Sequence, residues 1–254
     1  MTVFDFHARL PAGEAAAARL LAVMDAAGIE RAAICAGGLL SLDQLAVQIN
    51  DGGRAEVAAD NERVRRVCAA SGGRLLPFFF ADPARDVPAY RKNAVDFVGL
   101  EISPAVHGFR LDDPAVAELA EIAGAAGHPV YVVTVAHAGA RPADLVRLAG
   151  QFPQVSFVWG HCGHTGLDIA GLATIAPRPN ILAELSGCLT VTARLAVERL
   201  GAERVLFGTE YPLQHPDVEL RKVAALELSD ADRAAVTCAN AVRLLGEETT
   251  WTRP

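Results

Sequence analysis

The stretch PVYVVTV, residues 129–135, is apolar almost throughout and rich in β-branched residues. A strand that is apolar on both faces is typical of a parallel sheet that helices cover on each side, or of a closed barrel. The segment RPAD (141–144) follows and predicts a helix over 142–150, because proline is favoured in the first turn of a helix. A strand followed by a helix is therefore the expected building unit of the fold.

The same unit recurs along the whole chain. The other apolar runs predict strands at VFDFH (3–7), RAAICA (31–36), LLPFFFA (75–81), VDFVGLEIS (95–103), VSFVWGH (155–161), NILAELS (180–186) and RVLFGTEY (204–211). The stretches between them predict helices at 14–27, 55–71, 86–93, 114–126, 142–150, 167–175, 190–200 and 216–226, with a last one near 230–245. Eight such strands predict a parallel (β/α)₈ TIM barrel, a single domain over residues 1–254. A doubly wound open sheet is the alternative, but no GxGxxG follows the first strand.

Composition narrows the class of partner. The 254 residues carry a formal net charge of −7, with 52% hydrophobic and 21% charged residues, so nothing favours nucleic acid or an anionic membrane over a small molecule. No apolar run reaches the length of a membrane span, and the 5 cysteines show no CxxC spacing. We therefore expect a cytosolic protein with buried thiols. The glycine-punctuated segment 37–57 predicts a loop over the mouth of the barrel.

Polar residues stand where the predicted strands end. In a (β/α)₈ barrel the catalytic groups project from the carboxyl ends of the strands. The first strand delivers His7 and, two residues later, Arg9 on the same face. The later strands deliver Glu101, Ser103, Thr134, His161, Glu184, Ser186 and Glu210. Histidines and carboxylates that converge from different strands predict a catalytic site at the mouth.

The succession of motifs along the chain resembles that of a known family. The motifs are FDFH (4–7), VGLEISPAVHGFRLDDP (98–114), FPQVSFVWGHCG (152–163), RVLFGTEYP (204–212) and CANAVRLLG (238–246). In this order they resemble the amidohydrolase-related branch of the amidohydrolase superfamily, over nearly the whole chain. The resemblance implies a (β/α)₈ barrel and either hydrolysis or nonoxidative decarboxylation, usually at a divalent metal.

The resemblance also implies a degraded set of metal ligands. The HxH pair of the family falls on His7 and Arg9, its fifth-strand histidine on Val133, its sixth-strand histidine on His161 and its last-strand aspartate on Glu210. A guanidinium offers only hydrogen-bond donors and cannot ligate a metal. Zinc could be held through His7, His161 and Glu210, but this set lacks the family histidines that fall on Arg9 and Val133, so it would be an incomplete version of the family's metal site. A site without metal is therefore the expectation.

In that site we expect Arg9 to supply the missing positive charge and to pair with Glu210 across the mouth. His161 or His7 would carry the proton, since imidazole gains and loses one near neutral pH. The predicted catalytic residues are His7, Arg9, His161 and Glu210. The predicted substrate-binding residues are Glu101, Ser103, His107, His137 and Glu184. A purely structural ion pair is the alternative interpretation of Arg9 and Glu210.

The expected substrate is a small molecule with a carboxylate or carbonyl group. Hydrolysis is the first expectation, with water activated by Glu210 or His161 and the charge on the substrate oxygen met by Arg9. A nonoxidative decarboxylase or another lyase is the first alternative, because Arg9 would orient a carboxylate and a histidine would deliver the proton. A catalytically inactive relative that binds a metabolite or a protein partner is the second. The apolar composition is compatible with a homodimer.

Overall fold

A computed structural model describes residues 2–246 and shows one eight-stranded parallel sheet. Its strands are β1 Phe4–Leu10, β2 Arg31–Ala36, β3 Leu75–Ala81, β4 Gly99–Ile102, β5 Val130–Val132, β6 Phe157–Trp159, β7 Ile181–Glu184 and β8 Val205–Leu206. Each strand pairs in parallel with the next along the chain. The predicted (β/α)₈ barrel is confirmed.

Backbone hydrogen bonds join the last strand region to the first. Phe6 donates its N–H to the carbonyl oxygen of Phe207 at 2.9 Å, and Glu210 donates to that of His7 at 2.8 Å. The eighth strand ends at Leu206 and is much shorter than the predicted 204–211, and at Glu210 the backbone has a positive φ of +52°. The fourth strand is also shorter than predicted, since residues 94–96 form a 3₁₀ turn.

Helices cover the outside of the barrel and its two ends. They are α1 Ala16–Ala27, α2 Leu42–Asp51, α3 Asn61–Ala69, α4 Val87–Asn93, α5 Pro104–His107, α6 Pro114–Ala126, α7 Pro142–Gln151, α8 Ile169–Ile175, α9 Thr190–Leu200, α10 Pro216–Ala224, α11 Asp230–Ala234 and α12 Asn240–Leu245. A π-helical turn at Ala235–Ala239 joins α11 to α12, so the last predicted helix is one nearly continuous segment. Helix α3 starts later than the predicted 55–71, because Asp60 caps it by accepting the N–H of Arg63.

The segment 37–57 was predicted as a loop, and that prediction is wrong over α2. Ser41 Oγ accepts the N–H of Gln44, while the Gln44 side chain accepts the N–H of Ser41 at 3.0 Å. This reciprocal capping box starts a helix that has no buried residue. The helix nevertheless borders the barrel mouth, since Leu42, Leu45 and Ile49 line the cavity there.

Two apolar layers form the core. The inner layer fills the barrel below the mouth, where the rings of Phe6 and Phe78 meet edge to face with centroids 5.5 Å apart. The outer layer lies between strands and helices. Strand β3 alternates between the two layers, with Phe78 and Phe80 inside and Phe79 outside, as the period of a strand requires.

Strand β1 breaks this alternation with a bulge. Asp5 pairs with Ala32 and Ala8 pairs with Ile34. Between these two pairs β1 advances by three residues and β2 by two, so β1 contains one extra residue. Phe6 packs inside the barrel, and the extra residue brings the next side chain, His7, to the inner side as well. Without the bulge, a strict period of two would have placed His7 and Arg9 on the face opposite to Phe6.

A buried carboxyl group holds the bulge against the segment after β8. Asp5 Oδ1 accepts the N–H groups of His7 at 3.1 Å and Thr209 at 2.9 Å, and Asp5 Oδ2 accepts the Thr209 hydroxyl at 2.5 Å. Burial raises the pKa of Asp5 to about 7, although these hydrogen bonds act in the opposite direction. The folded state therefore holds a proton on Asp5 that the unfolded chain loses near its ordinary pKa.

This difference predicts how stability depends on pH. The contribution of Asp5 to the free energy of unfolding is fully present below its unfolded pKa and is lost as pH rises toward about 7, by up to about 4 kcal/mol. An Asp5→Asn variant keeps the shape and can still bond to Thr209, but it does not titrate. We expect the stability of the variant relative to the wild type to increase from pH 4 to pH 7, as measured by denaturant unfolding of both proteins. A difference independent of pH would contradict the assigned proton.

Candidate active site

Four charged side chains form a closed ring at the carboxyl end of the barrel. His7 Nδ1 lies 2.5 Å from Glu210 Oε2, and His7 Nε2 lies 3.0 Å from Glu101 Oε2. Arg9 Nε donates to Glu210 Oε1 at 2.6 Å, and Arg9 Nη2 donates to Glu101 Oε1 at 2.8 Å. Each cation contacts both carboxylates, and each carboxylate uses both oxygens. We call His7, Glu210, Arg9 and Glu101 the charge ring.

The members of the charge ring set one another's protonation. Burial alone would lower the pKa of His7, but Glu210 and Glu101 raise it well above its ordinary value. Burial would raise the pKa of Glu101, but Arg9 and His7 lower it to about 2. For Glu210 the opposing effect of Arg9, then of His161 and His7, outweighs burial and keeps the pKa well below its usual range. At neutral pH the ring therefore holds an imidazolium and a guanidinium between two carboxylates.

A second polar group lies beside the ring and is centred on His161. The Nε2 atom of His161 lies 3.4 Å from Glu210 Oε2, and its Nδ1 lies 2.8 Å from Ser186 Oγ. Glu184 accepts the backbone N–H of His161 at 3.2 Å. The side chain of His161 is 19% exposed, whereas that of Glu184 is fully buried. His161 is therefore the titratable group of this pair that can meet a substrate.

Local backbone conformations bring these groups together. His161 and Glu210 both have positive φ, +59° and +52°, in the left-handed region that costs a residue with a Cβ on the order of 1 kcal/mol. A Cβ at Gly208 would lie 2.3 Å from Glu184 Oε1, and one at Gly160 would lie 2.5 Å from the ring of Tyr131. Glycine at these two positions lets the buried side chains approach the backbone closely.

A cavity of about 620 Å³ opens above the charge ring. Arg9, Ser103, His161, His164 and Glu210 are among its polar lining. The remaining wall is largely apolar and includes Leu39, Leu40, Leu42, Leu45, Ile49, Phe80, Val106, Val133, Val135 and Leu213. A concave apolar pocket with a few convergent polar groups is the usual form of a small-molecule site.

The structure brings most of the predicted site residues to this place. Glu101 and Glu184 lie beneath the cavity, where they bond to Arg9 and His161 rather than lining the wall. His107 and His137 do not line the cavity. The buried His107 ring packs against Phe80 with centroids 5.3 Å apart, and His137 Nε2 lies 3.3 Å from the backbone oxygen of Gln48 in α2. Both are separated from the charge ring, so their predicted contact with substrate remains without geometric support.

Sequence reasoning missed three neighbours of the charge ring. The Tyr131 ring stacks on His7, with centroids 4.0 Å apart and an interplanar angle of 4°. Cys35 Sγ accepts a hydrogen bond from Arg9 Nη1 at 3.3 Å, and burial raises the pKa of this thiol to about 11. Asp5 fixes the backbone of His7 from below. Tyr131 could have been found from the sequence. It lies two residues before Val133, the position of the family's fifth-strand histidine, and so points to the same face of the strand.

Two sets of side chains bring three potential metal-ligand atoms within 4.8 Å of one another: His7, His161 and Glu210, and His7, Cys35 and Glu101. The first is the set considered from the sequence. Neither set fits a resident dication as arranged. In the first set the guanidinium of Arg9 lies 2.6 Å from Glu210 Oε1 and would repel a dication placed there. In the second set the same guanidinium donates to both Cys35 Sγ and Glu101 Oε1.

A sequence model of the amidohydrolase family matches residues 4–246. The chain belongs to this family. The resemblance predicted from the motifs is thereby confirmed, and with it an enzyme family. A search of curated proteins finds no match.

Solved structures of amidohydrolase relatives share the fold at low sequence identity. A 2,6-dihydroxybenzoate decarboxylase complexed with 2,6-dihydroxybenzoate matches with 17% identity, a TM-score of 0.73, and coverage of 97% of this chain and 99% of that one. A 5-carboxyvanillate decarboxylase from Novosphingobium aromaticivorans complexed with manganese matches with 15% identity, a TM-score of 0.71 and 96% of both chains. A probable 2-pyrone-4,6-dicarboxylic acid hydrolase from Acinetobacter baumannii, with citric acid bound, matches with 13% identity, a TM-score of 0.71, and 97% of this chain and 100% of that one.

These relatives show that the family fold carries both decarboxylases and a hydrolase-like protein. The match therefore does not decide between the two reactions expected from the sequence. None of the helices in the described part of the chain has the length and apolar character that a membrane span needs.

The contacts of Arg9 in the charge ring predict that replacing this residue would allow the site to bind a metal ion. An Arg9→His variant removes the guanidinium from both carboxylates and places a second imidazole beside His7. We expect this variant to retain zinc in near-stoichiometric amount after dialysis, whereas the wild type does not, as measured by elemental analysis. Arg204→His is the matched control, because that guanidinium donates to backbone carbonyl groups such as Ile181. Zinc content equal in the variant and the control would contradict the prediction and would point to the loss at Val133.

Proposed function

We propose that this member of the amidohydrolase family is a lyase that removes CO₂ from a small monocarboxylic acid without a resident metal. The observation that carries the proposal is the placement of Arg9. Three of the five N–H groups of a guanidinium are engaged here, by Glu210, Glu101 and Cys35. The other two have no hydrogen-bond partner in the range 2–246, and Arg9 lines the cavity. They are available to the oxygens of a bound acid.

The low pKa of Glu210 favours decarboxylation over a hydrolysis in which Glu210 activates the water. Hydrolysis, the first expectation from the sequence, needs a group that takes a proton from water. Glu210 is a weak base for this purpose, since Arg9 and His7 hold its pKa well below its ordinary range. Decarboxylation needs a proton donor and a fixed positive charge, which His161 and Arg9 supply in this proposal. An inactive scaffold is disfavoured because the polar groups still converge on a cavity.

In the proposed reaction Arg9 holds the carboxylate and the neighbouring substrate oxygen. The bond between the carbon that carries the carboxylate and the carboxyl carbon breaks, CO₂ leaves, and the electron pair of that bond moves through the conjugated system onto the neighbouring oxygen. His161 then delivers a proton from Nε2 to the same carbon, and the electron pair returns from the oxygen to form the new C–H bond. As the charge moves from the carboxylate to the neighbouring oxygen, the guanidinium stabilises it without having to move. His161 regains its proton from water through the open mouth.

The cavity wall also limits the substrate. Arg9 is the only lysine or arginine among the described residues that line the cavity. A second carboxylate on the substrate would lie against apolar side chains, where an unpaired charge is costly. The proposed substrate therefore has one anionic group on a largely apolar, conjugated body. The homodimer and the cytosolic location expected from the sequence remain predictions.

The decisive experiment measures CO₂ release from a panel of small aromatic and unsaturated monocarboxylic acids by the protein after dialysis against a chelator. We expect turnover that chelation does not reduce. An His161→Gln variant should lose about 10²- to 10⁴-fold in kcat, the usual contribution of a general acid. The control is His215→Gln, since His215 is exposed and does not line the cavity. Activity that disappears with the chelator and returns with manganese or zinc would overturn the proposal.

The single cation predicts a preference that can be measured separately. Each monocarboxylate that binds should bind at least about tenfold more tightly than the same compound with a second carboxylate on the opposite side, as measured by competitive inhibition or calorimetry. The cause is the loss of hydration by the second carboxylate against the apolar wall. Equal affinities would show that a second positive group reaches the substrate.

A further inference from the structure

We infer that Ser186 and Glu184 are positioning residues that hold His161 in one tautomer, with its proton on Nδ1. The Nε2 atom is then the nitrogen that exchanges a proton in the cavity. The observation is a chain of hydrogen bonds, Glu184–Ser186–His161, that runs from the end of β7 to His161, the second residue after β6. Its importance for turnover rests on the proposed function, in which His161 carries the proton, but the tautomer itself does not.

The buried Glu184 carboxylate accepts four hydrogen bonds. Its Oε2 atom accepts the hydroxyl of Tyr131 at 2.7 Å, the hydroxyl of Ser186 at 2.8 Å and the backbone N–H of His161 at 3.2 Å. Its Oε1 atom accepts the backbone N–H of Ser186 at 2.6 Å. An ionised carboxylate can only accept hydrogen bonds, so the hydroxyl groups of Tyr131 and Ser186 both turn their protons toward it. The direction of the Ser186–Glu184 bond is thereby fixed.

A serine hydroxyl has one proton, and here Glu184 receives it. The Ser186 oxygen therefore faces His161 Nδ1, 2.8 Å away, with a lone pair. If Nδ1 were unprotonated, its lone pair would face the lone pair of the Ser186 oxygen at 2.8 Å, and the two would repel each other. Nδ1 must therefore carry the proton. The opposite tautomer would require Ser186 to turn its proton away from a carboxylate in a buried place, which costs a charge-assisted hydrogen bond.

The backbone on both sides of Ser186 is also held. Lys222 Nζ donates to the carbonyl oxygens of Leu185 at 2.7 Å and Cys188 at 3.0 Å, and the N–H of Gly187 donates to Glu219 Oε1 at 3.2 Å. Lys222 and Glu219 are themselves buried and paired. The loop after β7 therefore has little freedom to move Ser186 away when a substrate enters.

The other ring nitrogen has a different environment. Nε2 of His161 lies 3.4 Å from Glu210 Oε2, and the residue lines the cavity. The same Glu184 carboxylate fixes both the ring, through Ser186, and the backbone N–H of His161, whose φ is +59°. Since Nδ1 is engaged with Ser186 at one side, Nε2 is the nitrogen left to give a proton to a bound acid and to recover it.

The test reads the tautomer directly. Protein labelled with ¹⁵N in histidine gives two-bond ¹⁵N–¹H correlation spectra in which a protonated ring nitrogen is distinguished from an unprotonated one. The signals of His161 are identified by their loss in His161→Gln. For the neutral ring of the wild type we expect Nδ1 to be protonated. In Ser186→Ala, which removes the acceptor, we expect a mixture of the two tautomers.

Ser71→Ala is the matched control. It removes a serine hydroxyl that donates to the backbone oxygen of Cys68 at 2.7 Å and accepts the N–H of Leu75 at 3.0 Å, at the start of β3 and away from the mouth, and it leaves the Ser186–His161 bond in place. We expect its His161 tautomer to match the wild type. If Nε2 carries the proton in the wild type, or if Ser186→Ala leaves the tautomer unchanged, the inference is wrong. The spectra need no substrate and no turnover. Absence of decarboxylase activity would therefore overturn the proposed function but would leave the tautomer assignment of His161 to be decided by the spectra.

Where turnover is found, the kinetic constants add a second reading. Ser186→Ala should lower kcat about ten- to a hundredfold and change KM by less than about threefold, because the variant misplaces a proton without removing a substrate contact. Ser186→Thr, which restores the hydroxyl, should recover both kcat and the Nδ1 tautomer. A loss of kcat in Ser186→Ala with a wild-type tautomer would also overturn the positioning role.

Discussion

The charge ring at the mouth of the barrel is the constraint on which the site depends. His7 and Arg9 each bridge Glu101, which lies on β4, and Glu210, which lies after β8. Removal of one partner from a buried ion pair typically costs about 3–5 kcal/mol, because the other charge is left without compensation. The ring therefore locks β1, β4 and the segment after β8 together.

The same interaction changes the chemistry that the family fold can perform. In a metal site a histidine must be neutral and a carboxylate must have a free oxygen. Here His7 carries a proton between two carboxylates, and Arg9 supplies a positive charge that neither leaves nor exchanges its ligands. A guanidinium stabilises charge through directed hydrogen bonds but cannot activate water by coordination. A reaction that breaks a carbon–carbon bond is more compatible with this cation than one that requires hydroxide.

The sequence predicted the barrel well because strand period, strand count and helix spacing are local signals. It also brought His7, Arg9, His161 and Glu210 to one mouth, since strand ends in a barrel converge. It did not predict the bulge in β1, which follows from the pairing of Asp5 and Ala8 with β2. The helix α2 was missed although its capping box was legible, and the stacking of Tyr131 on His7 depends on tertiary packing. Apart from α2, the features that the sequence did not predict depend on contacts between residues far apart in the chain.

The two histidines of the site are suited to different tasks because their nitrogens differ in freedom. Both nitrogens of His7 face carboxylates of the charge ring, so a proton that leaves His7 must leave two ion pairs. In His161 only Nδ1 is bonded at short range, whereas Nε2 lies at the cavity. A proton carrier must change its charge during each turnover at low cost. In the proposed reaction His7 is therefore the fixed charge and His161 the group that exchanges a proton, whereas the sequence alone made them equal candidates.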